Sequence, residues 1–320
     1  RIAAVTLARR VAEQRGEQLG GSVGYRIGQG DHVDSADSKI TFVTVGYLLQ
    51  YLSHNSGMVK RYTHIVLDEV HERTMDADML HLLIKKLMEA GAWPSAKLVV
   101  MSATLQAGLF GEYFTPPGEA VRDPIFVGVR RFPVRSLHLE ELCHNIPRLR
   151  NACGKAVSKA VGNFDGAARV GAVIKGGDSS ALIKAEVSSE VQRIIVEATL
   201  VLAEPNSCIL IFLPGIGEIS TIQDDLEGVP SEVPLQILVL HSLVPREEQD
   251  HAVQPALLGH CKVILSTNIA ESSITIPDVV YVIDTGLHRG IFYDDKRRMP
   301  SLLCTWCAQA SARQRAGRAG

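Results

Sequence analysis

The run His64-Ile65-Val66-Leu67-Asp68-Glu69-Val70-His71-Glu72-Arg73 constrains this chain more than any other stretch. Three apolar residues lead straight into two adjacent carboxylates. A short apolar run bounded by polar residues predicts a strand buried on both faces, as in parallel sheets covered by helices. The acids then fall at the strand's carboxyl end, where open α/β sheets place their ligands. If the backbone is still extended at 68 and 69, the two carboxylates point to opposite sides and have different tasks. The simpler alternative is an exposed acidic turn after a core strand.

The same arrangement recurs along the chain. Lys97-Leu98-Val99-Val100-Met101 predicts a second buried strand, delivering Ser102-Ala103-Thr104. Residues 39–44 alternate as a strand does and end at Thr44-Val45-Gly46. Ahead of them, 1–19 has helical spacing (Val5, Ala8, Val11, Ala12) with Arg9, Arg10 and Arg15 between, and Gly20-Gly21 is the predicted stop. Beyond the acids, Asp76 is a candidate cap for a helix carrying Met79, Leu80, Leu83, Ile84 and Leu87, with Gly91 and Pro94 as its stop. Residues 124–129 and 132–139 read as strands. From 140 to 185 the pattern fades under glycines at 154, 162, 166, 171, 176 and 177, which predicts an irregular inter-domain insertion. Val187, Val191, Ile194, Ile195, Ala198 and Leu202 then make an amphipathic stripe. Strands at 208–213, 235–240 and 263–265 alternate with helices, so a second parallel α/β unit is expected.

At 320 residues two domains are a sensible expectation. With 46% hydrophobic and 21% charged residues the composition is that of a globular protein, and no apolar run approaches the roughly 20 residues of a membrane span. A net charge of −2 gives no global basic field, which leaves a local basic groove as the only charge-based route to nucleic acid. Six cysteines without regular spacing suit reduced thiols in an intracellular compartment, nucleus or cytoplasm. Cys304-Thr305-Trp306-Cys307 is a lone CxxC, better read as strand packing than as a metal or redox pair.

Taken together, the strings resemble the motifs of the DEAH-box helicases, a superfamily-two group related to RNA helicase A. Asp68-Glu69-Val70-His71-Glu72-Arg73 resembles motif II, with Val70 where the family usually has Ala. Arg1 to Thr6 with Arg10 to Glu13 resembles motif Ia, Thr44 to Leu49 motif Ib, Ser102-Ala103-Thr104 motif III, and Cys208 to Gly215 motif IV. Lys262 to Ile276 resembles motif V over its whole length. Gln309 to Gly320, with Gln314, Arg315 and Arg318, resembles motif VI, and 291–307 the β-hairpin that the family uses to separate strands.

The resemblance implies two tandem RecA-like parallel-sheet domains, both incomplete at the chain ends: 1–140, an insertion over 141–185, and 186–320. It implies ATP and Mg²⁺ as ligands, with Asp68 holding the ion through water and Glu69, also near the metal, orienting or deprotonating the attacking water. His71 completes the catalytic string. Gln314 would position the water, and Arg318 would be the arginine finger. Arg10, Ser102, Thr104, Ser272 and Arg315 would line the nucleotide. Arg1, Thr44, Gly46, Thr267 and Asn268 would touch the nucleic-acid backbone. RNA is the implied partner, with 3′-to-5′ movement, protein cofactors through flanking domains, a monomeric state and no membrane. Catalytically impaired RNA- or protein-binding scaffolds and DNA-acting helicases stay open as alternatives.

Three departures stand out: Gly28 where a strand-guiding Arg is common, Val45 where an acid is usual, and no aromatic near Ala252 and Val253 to stack on a base. No G-x-x-x-x-G-K-S/T string occurs. The chain opens at Arg1 without Met and stops inside a motif, so a piece of a longer protein is expected, one that hydrolyses ATP poorly by itself.

Overall fold

In the computed structural model, the residues described are 2–30, 32–54, 62–93, 96–102, 107–116, 118–127, 132–173, 185–272, 276, 278–294 and 298–319. They fall into two compact units, Arg1–Gly128 and Val129–Gly320.

The first unit runs α1 (Ile2–Gln14), β1 (Val23–Arg26), β2 (His32–Val33), β3 (Ile40–Val43), α2 (Val45–His54), β4 (His64–Leu67), α3 (Met75–Glu89), β5 (Lys97–Val100) and α4 (Ala107–Phe114). β1 pairs parallel with β3 and antiparallel with β2, while β4 pairs parallel with β5. α1 lays Val5, Ala8 and Ala12 on Val23 and Tyr25 of β1. The spacing predicts this helix, but it ends at Gln14, six residues before Gly20. Gly16 takes φ 69°, its N–H reaches the carbonyl of Glu13, and the N–H of Glu17 reaches that of Ala12. That pair of bonds is a Schellman stop, and Gly16 supplies its left-handed residue. α3 ends the same way at Gly91. Its start is capped by the Thr74 hydroxyl, which accepts from the N–H of Ala77 at 3.3 Å, and Asp76 sits inside the first turn.

β4 is not buried on both faces. Ile65 and Leu67 pack on Leu52, Leu80 and Ile84, whereas Val66 on the opposite face is 52% exposed. α2 and α3 cover one side of the β4–β5 pair, and alternation along the strand leaves Val66 and Val99 on the other. Residues 124–127 and 132–138 form no strand: Ile125, Phe126 and Val127 lie 88%, 85% and 88% exposed, and β-propensity alone does not make a strand. Residues 128–131 lie outside those described.

Gly24 of β1 is held by close packing rather than by φ. A Cβ there would stand 2.5 Å from Cβ of Asp34 and 2.6 Å from the carbonyl of Val33. Gly24→Ala is therefore expected to push β2 off β1 and cost the first unit roughly 1–3 kcal/mol. Denaturant unfolding followed through Trp93 checks this, and an unchanged midpoint would contradict it.

The second unit runs α5 (Leu142–Asn145), α6 (Pro147–Val173), α7 (Ser189–Leu202), β6 (Cys208–Phe212), α8 (Ile216–Glu227), β7 (Leu235–Leu240), α9 (Arg246–Ala252), β8 (Cys261–Ser266), α10 (Ile269–Ser272), β9 (Val279–Asp284), β10 (Leu287–Asp294), β11 (Met299–Trp306) and α11 (Gln309–Ala316). Its sheet has the order β7-β8-β6-β9, all parallel. The central strands are buried on both faces, as continuous apolar runs require. Ile209, Ile211, Val263 and Leu265 meet Ile195, Ile219 and Ile222 of α7 and α8 on one side. Cys208, Leu210, Phe212 and Ile264 meet Ala252, Ala270 and Ile276 on the other. Each such aliphatic side chain contributes about 1.5–3 kcal/mol by burial. β10 and β11 form an antiparallel hairpin across 287–306, with 295–297 outside the described residues.

The stretch expected to be irregular, 141–185, carries α5 and α6. Glycines lower helix propensity by about 1 kcal/mol each. Packing overrides this, because Leu149, Cys153, Val157 and Ala160 share one face and bury it against Ile194 and Ala198 of α7. A non-helical Cys153 (φ −136°) marks a kink.

Candidate functional site

The strings that begin at Thr44, Asp68, Ser102 and Thr267 leave the carboxyl ends of parallel strands, whereas Arg10 lies on α1 and Gln314 and Arg318 follow the antiparallel β10–β11 hairpin. β4 stops at Leu67, and Glu69 adopts a left-handed backbone (φ 53°, ψ 36°) that opens a single 3₁₀ turn, Val70–Glu72. The simple alternation expected for two acids on an extended strand therefore does not apply. Asp68 is exposed, and its Oδ1 accepts the N–H of Glu69 at 2.9 Å. Glu69 is half-buried with its Oε2 3.5 Å from Nδ1 of His71. Arg73, also left-handed (φ 49°), closes the turn and clasps Asp78 through Nε at 2.7 Å and Nη2 at 2.9 Å. That clasp holds the Asp78 carboxyl below its usual range and raises the Arg73 guanidinium above its own, by hydrogen bonding first.

The turn is anchored to the neighbouring strand. The N–H of Met101 donates to the carbonyl of Leu67 at 2.8 Å, and the N–H of Val70 to that of Met101 at 3.2 Å. This brings Ser102 to the same sheet edge as Asp68 and Glu69; Thr104 lies outside the described residues. Thr44 follows β3, and its carbonyl takes the first turn of α2 from the N–H of Leu48 at 3.0 Å. Among the described residues, a Cβ on Gly46 would meet the Asp76 carboxylate alone, at 3.7 Å, which leaves room for close backbone approach. Arg10 is exposed on α1, and Arg1 lies outside the described residues.

In the second unit Thr267 and Asn268 follow β8 and open α10: the N–H of Thr267 donates to Leu240, and the Asn268 carbonyl accepts from Glu271 at 3.0 Å. Asn268 is exposed, Thr267 half-buried, and the side chain of Ser272 is not described. Gln314 and Arg318 are half-buried on α11 and the turn after it. Arg318 donates from Nε to the carbonyl of Glu271 at 3.0 Å and from Nη2 to the same oxygen.

Arg315, expected to line the nucleotide, is buried against two acids. Its side chain is 1% exposed. Nε donates to Glu271 Oε2 at 2.9 Å, and Nη1 to Asp284 Oδ1 at 2.9 Å and to the carbonyl of Leu287 at 3.1 Å, with the guanidinium 5.0 Å over the Phe212 ring. Burial opposes its charge, but the pull of Asp284 and the bonds to Glu271 and Asp284 outweigh this and raise its pKa. Motif matching missed Glu271 and Asp284. The available signal was an acid inside motif V and another ending a strand, both facing an Arg-rich motif. In the CxxC, burial raises both the Cys304 and Cys307 thiols, the wrong direction for thiolate ligands. Among the described residues no cluster of His, Cys, Asp or Glu is arranged to hold a metal by itself, and no helix is long and apolar enough to cross a membrane.

The family model described as "Helicase conserved C-terminal domain" matches residues 190–320. The whole chain aligns at 34% identity with the probable ATP-dependent RNA helicase spindle-E of Drosophila virilis, and at 33% with the ATP-dependent RNA helicase TDRD9 of Homo sapiens, covering 22% of each. The chain thus spans about a fifth of the length of these relatives. The solved structure of Escherichia coli DEAH/RHA helicase HrpB matches it over 100% of the chain and 34% of that protein, at a TM-score of 0.66 and 28% identity. With two α/β units carrying parallel strands and these likenesses across its full length, the chain is similar to ATP-dependent RNA helicases and to a DEAH/RHA helicase, and its residues 190–320 match the helicase C-terminal domain family.

Proposed function

We propose that this chain is the motor core of an ATP-dependent RNA helicase that moves 3′ to 5′ along RNA. The observation that carries the reading is the Asp68-Glu69 turn, fixed in a left-handed backbone and tied to the strand that delivers Ser102. Two exposed or half-exposed carboxylates are hard oxygen donors of the kind Mg²⁺ takes, so this donor set fits the ion. Bound with ATP, Mg²⁺ would supply neutralisation of phosphate charge. Asp68 would hold the ion, and Glu69 would accept a proton from water. On the second unit, Gln314 would serve to orient water, and Arg318 would offer a permanently charged, planar fork to γ-phosphoryl oxygens. Arg10, exposed on α1, covers the base. Thr44, Thr267 and Asn268 grip the backbone without reading bases. The relatives' description as RNA helicases supports RNA over DNA.

The full-length protein is expected to hydrolyse ATP faster with single-stranded RNA than without it, and to displace the paired strand of a duplex bearing a 3′ overhang. Equal stimulation by a matched DNA oligonucleotide would remove the RNA assignment. RNA binding with no hydrolysis would replace the motor by a scaffold.

A further inference from the structure

We propose that Arg315 is a positioning residue for Arg318, acting through Glu271; the inference rests on the ATPase reading above and deepens it. Glu271 is used twice. Its carboxylate accepts from Nε of Arg315, and its main-chain carbonyl accepts from Nε and Nη2 of Arg318. α10 is a single turn of four residues, so the direction of the Glu271 carbonyl has little support from its own helix. Arg315 supplies that support from four directions. It joins the end of β6 through Phe212, the end of β9 through Asp284, the start of β10 through the Leu287 carbonyl, and α10 through Glu271. Asp284 is itself fixed, since its Oδ1 also takes the N–H of Gly286 at 2.8 Å. Phe212 is fixed through its carbonyl, which accepts the Thr285 hydroxyl at 2.9 Å. The guanidinium is thus the point at which three strand ends and α11 are registered, and the registered object is the oxygen that seats Arg318.

Lysine cannot replace this role. An ammonium is a compact charge on a flexible stem, and it cannot hold two carboxylates in a planar fork while stacking on a ring. Arg315→Lys keeps the buried charge and so separates positioning from simple charge loss.

The test uses the full-length protein, with RNA-stimulated ATP hydrolysis and amide hydrogen exchange read in parallel. Arg315→Lys is expected to lower kcat roughly 10- to 100-fold, the scale of a misplaced reacting group, with the KM for ATP nearly unchanged. In an Arg318→Ala background the same substitution is expected to add little, because the residue it positions is gone. Glu271→Gln, which keeps the side chain's shape, is expected to repeat this pattern and serves if Arg315→Lys does not fold. Exchange should rise in 268–272 and 309–319 while β6 and β8 stay protected. Losses that multiply in the Arg318→Ala background, or exchange that rises throughout the second unit, would overturn the proposal by making Arg315 a general stabiliser. Wild-type protein without hydrolysis would remove the ATPase reading, and the exchange pattern would then decide the coupling by itself.

Discussion

Glu69→Gln in the full-length protein is expected to lower RNA-stimulated ATP turnover by roughly 10²- to 10⁴-fold, the contribution of a positioned general base. Glutamine has nearly the shape of glutamate, so the change removes the proton acceptor and little else. The residue sits at φ 53°, a backbone state that costs a non-glycine residue roughly 1–2 kcal/mol. Glutamine meets the same cost, and the bonds fixing the turn, Val70 to Met101 and Met101 to Leu67, are main-chain bonds that the substitution leaves in place. Folding stability should therefore shift by no more than about 0.5 kcal/mol. Nucleotide binding should survive, since Asp68 is untouched. Turnover within a few-fold of wild type would remove Glu69 from the chemistry. Loss of turnover together with a large drop in unfolding midpoint would make it structural.

The second large effect concerns Lys262, which the motif comparison treats only as the first residue of motif V. Its side chain is 0% exposed, and Nζ reaches the carbonyls of Gln254 at 2.6 Å and Ala252 at 3.3 Å and Asp278 Oδ1 at 2.7 Å. Asp278 in turn accepts the N–H of Ala256 at 3.0 Å, so one ammonium ties β8 to the segment between α9 and β8 and to the start of β9. Lys262→Met keeps most of the apolar stem and deletes the charge. It strands a carboxylate and two carbonyls, and is expected to cost the second unit about 3–5 kcal/mol. The two tryptophans make the measurement separable, since Trp93 lies in the first unit and Trp306 in the second. In a Trp93→Phe background, denaturant unfolding read through Trp306 follows the second unit. A loss under about 1 kcal/mol would mean that water replaces the ammonium without penalty.

Legibility in the sequence followed burial. β6 and β8 were readable because a sheet covered on both faces leaves a continuous apolar signature, and the strings at their carboxyl ends could then be placed. β4 carries the same signature in residues 65–67, but among the described residues helices cover one of its faces and Val66 on the other is exposed, which composition cannot express. α6 escapes a reading that takes glycines as punctuation, although its 149, 153, 157, 160 spacing forms an apolar face that α7 satisfies. Residues 124–127 show the opposite: strand-forming residue types that lie exposed and join no ladder. Among the site residues, Arg315 shows the limit of matching a motif. An arginine's identity says that it will find acids or phosphates, and only the positions of Glu271 and Asp284 say which.

Four non-glycine residues among those described have positive φ, and two of them, Glu69 and Arg73, bracket one 3₁₀ turn. The consequence reaches into mutational tolerance. β-branched side chains are the least able to enter that backbone state, so Val, Ile and Thr should be depleted at positions 69 and 73 in any library selected only for folding. A survey of tolerated variants would then score both positions as constrained before any nucleotide is offered. Intolerance at 73 would record the path of the main chain together with the Asp78 clasp, and the excess intolerance at 69 would record chemistry.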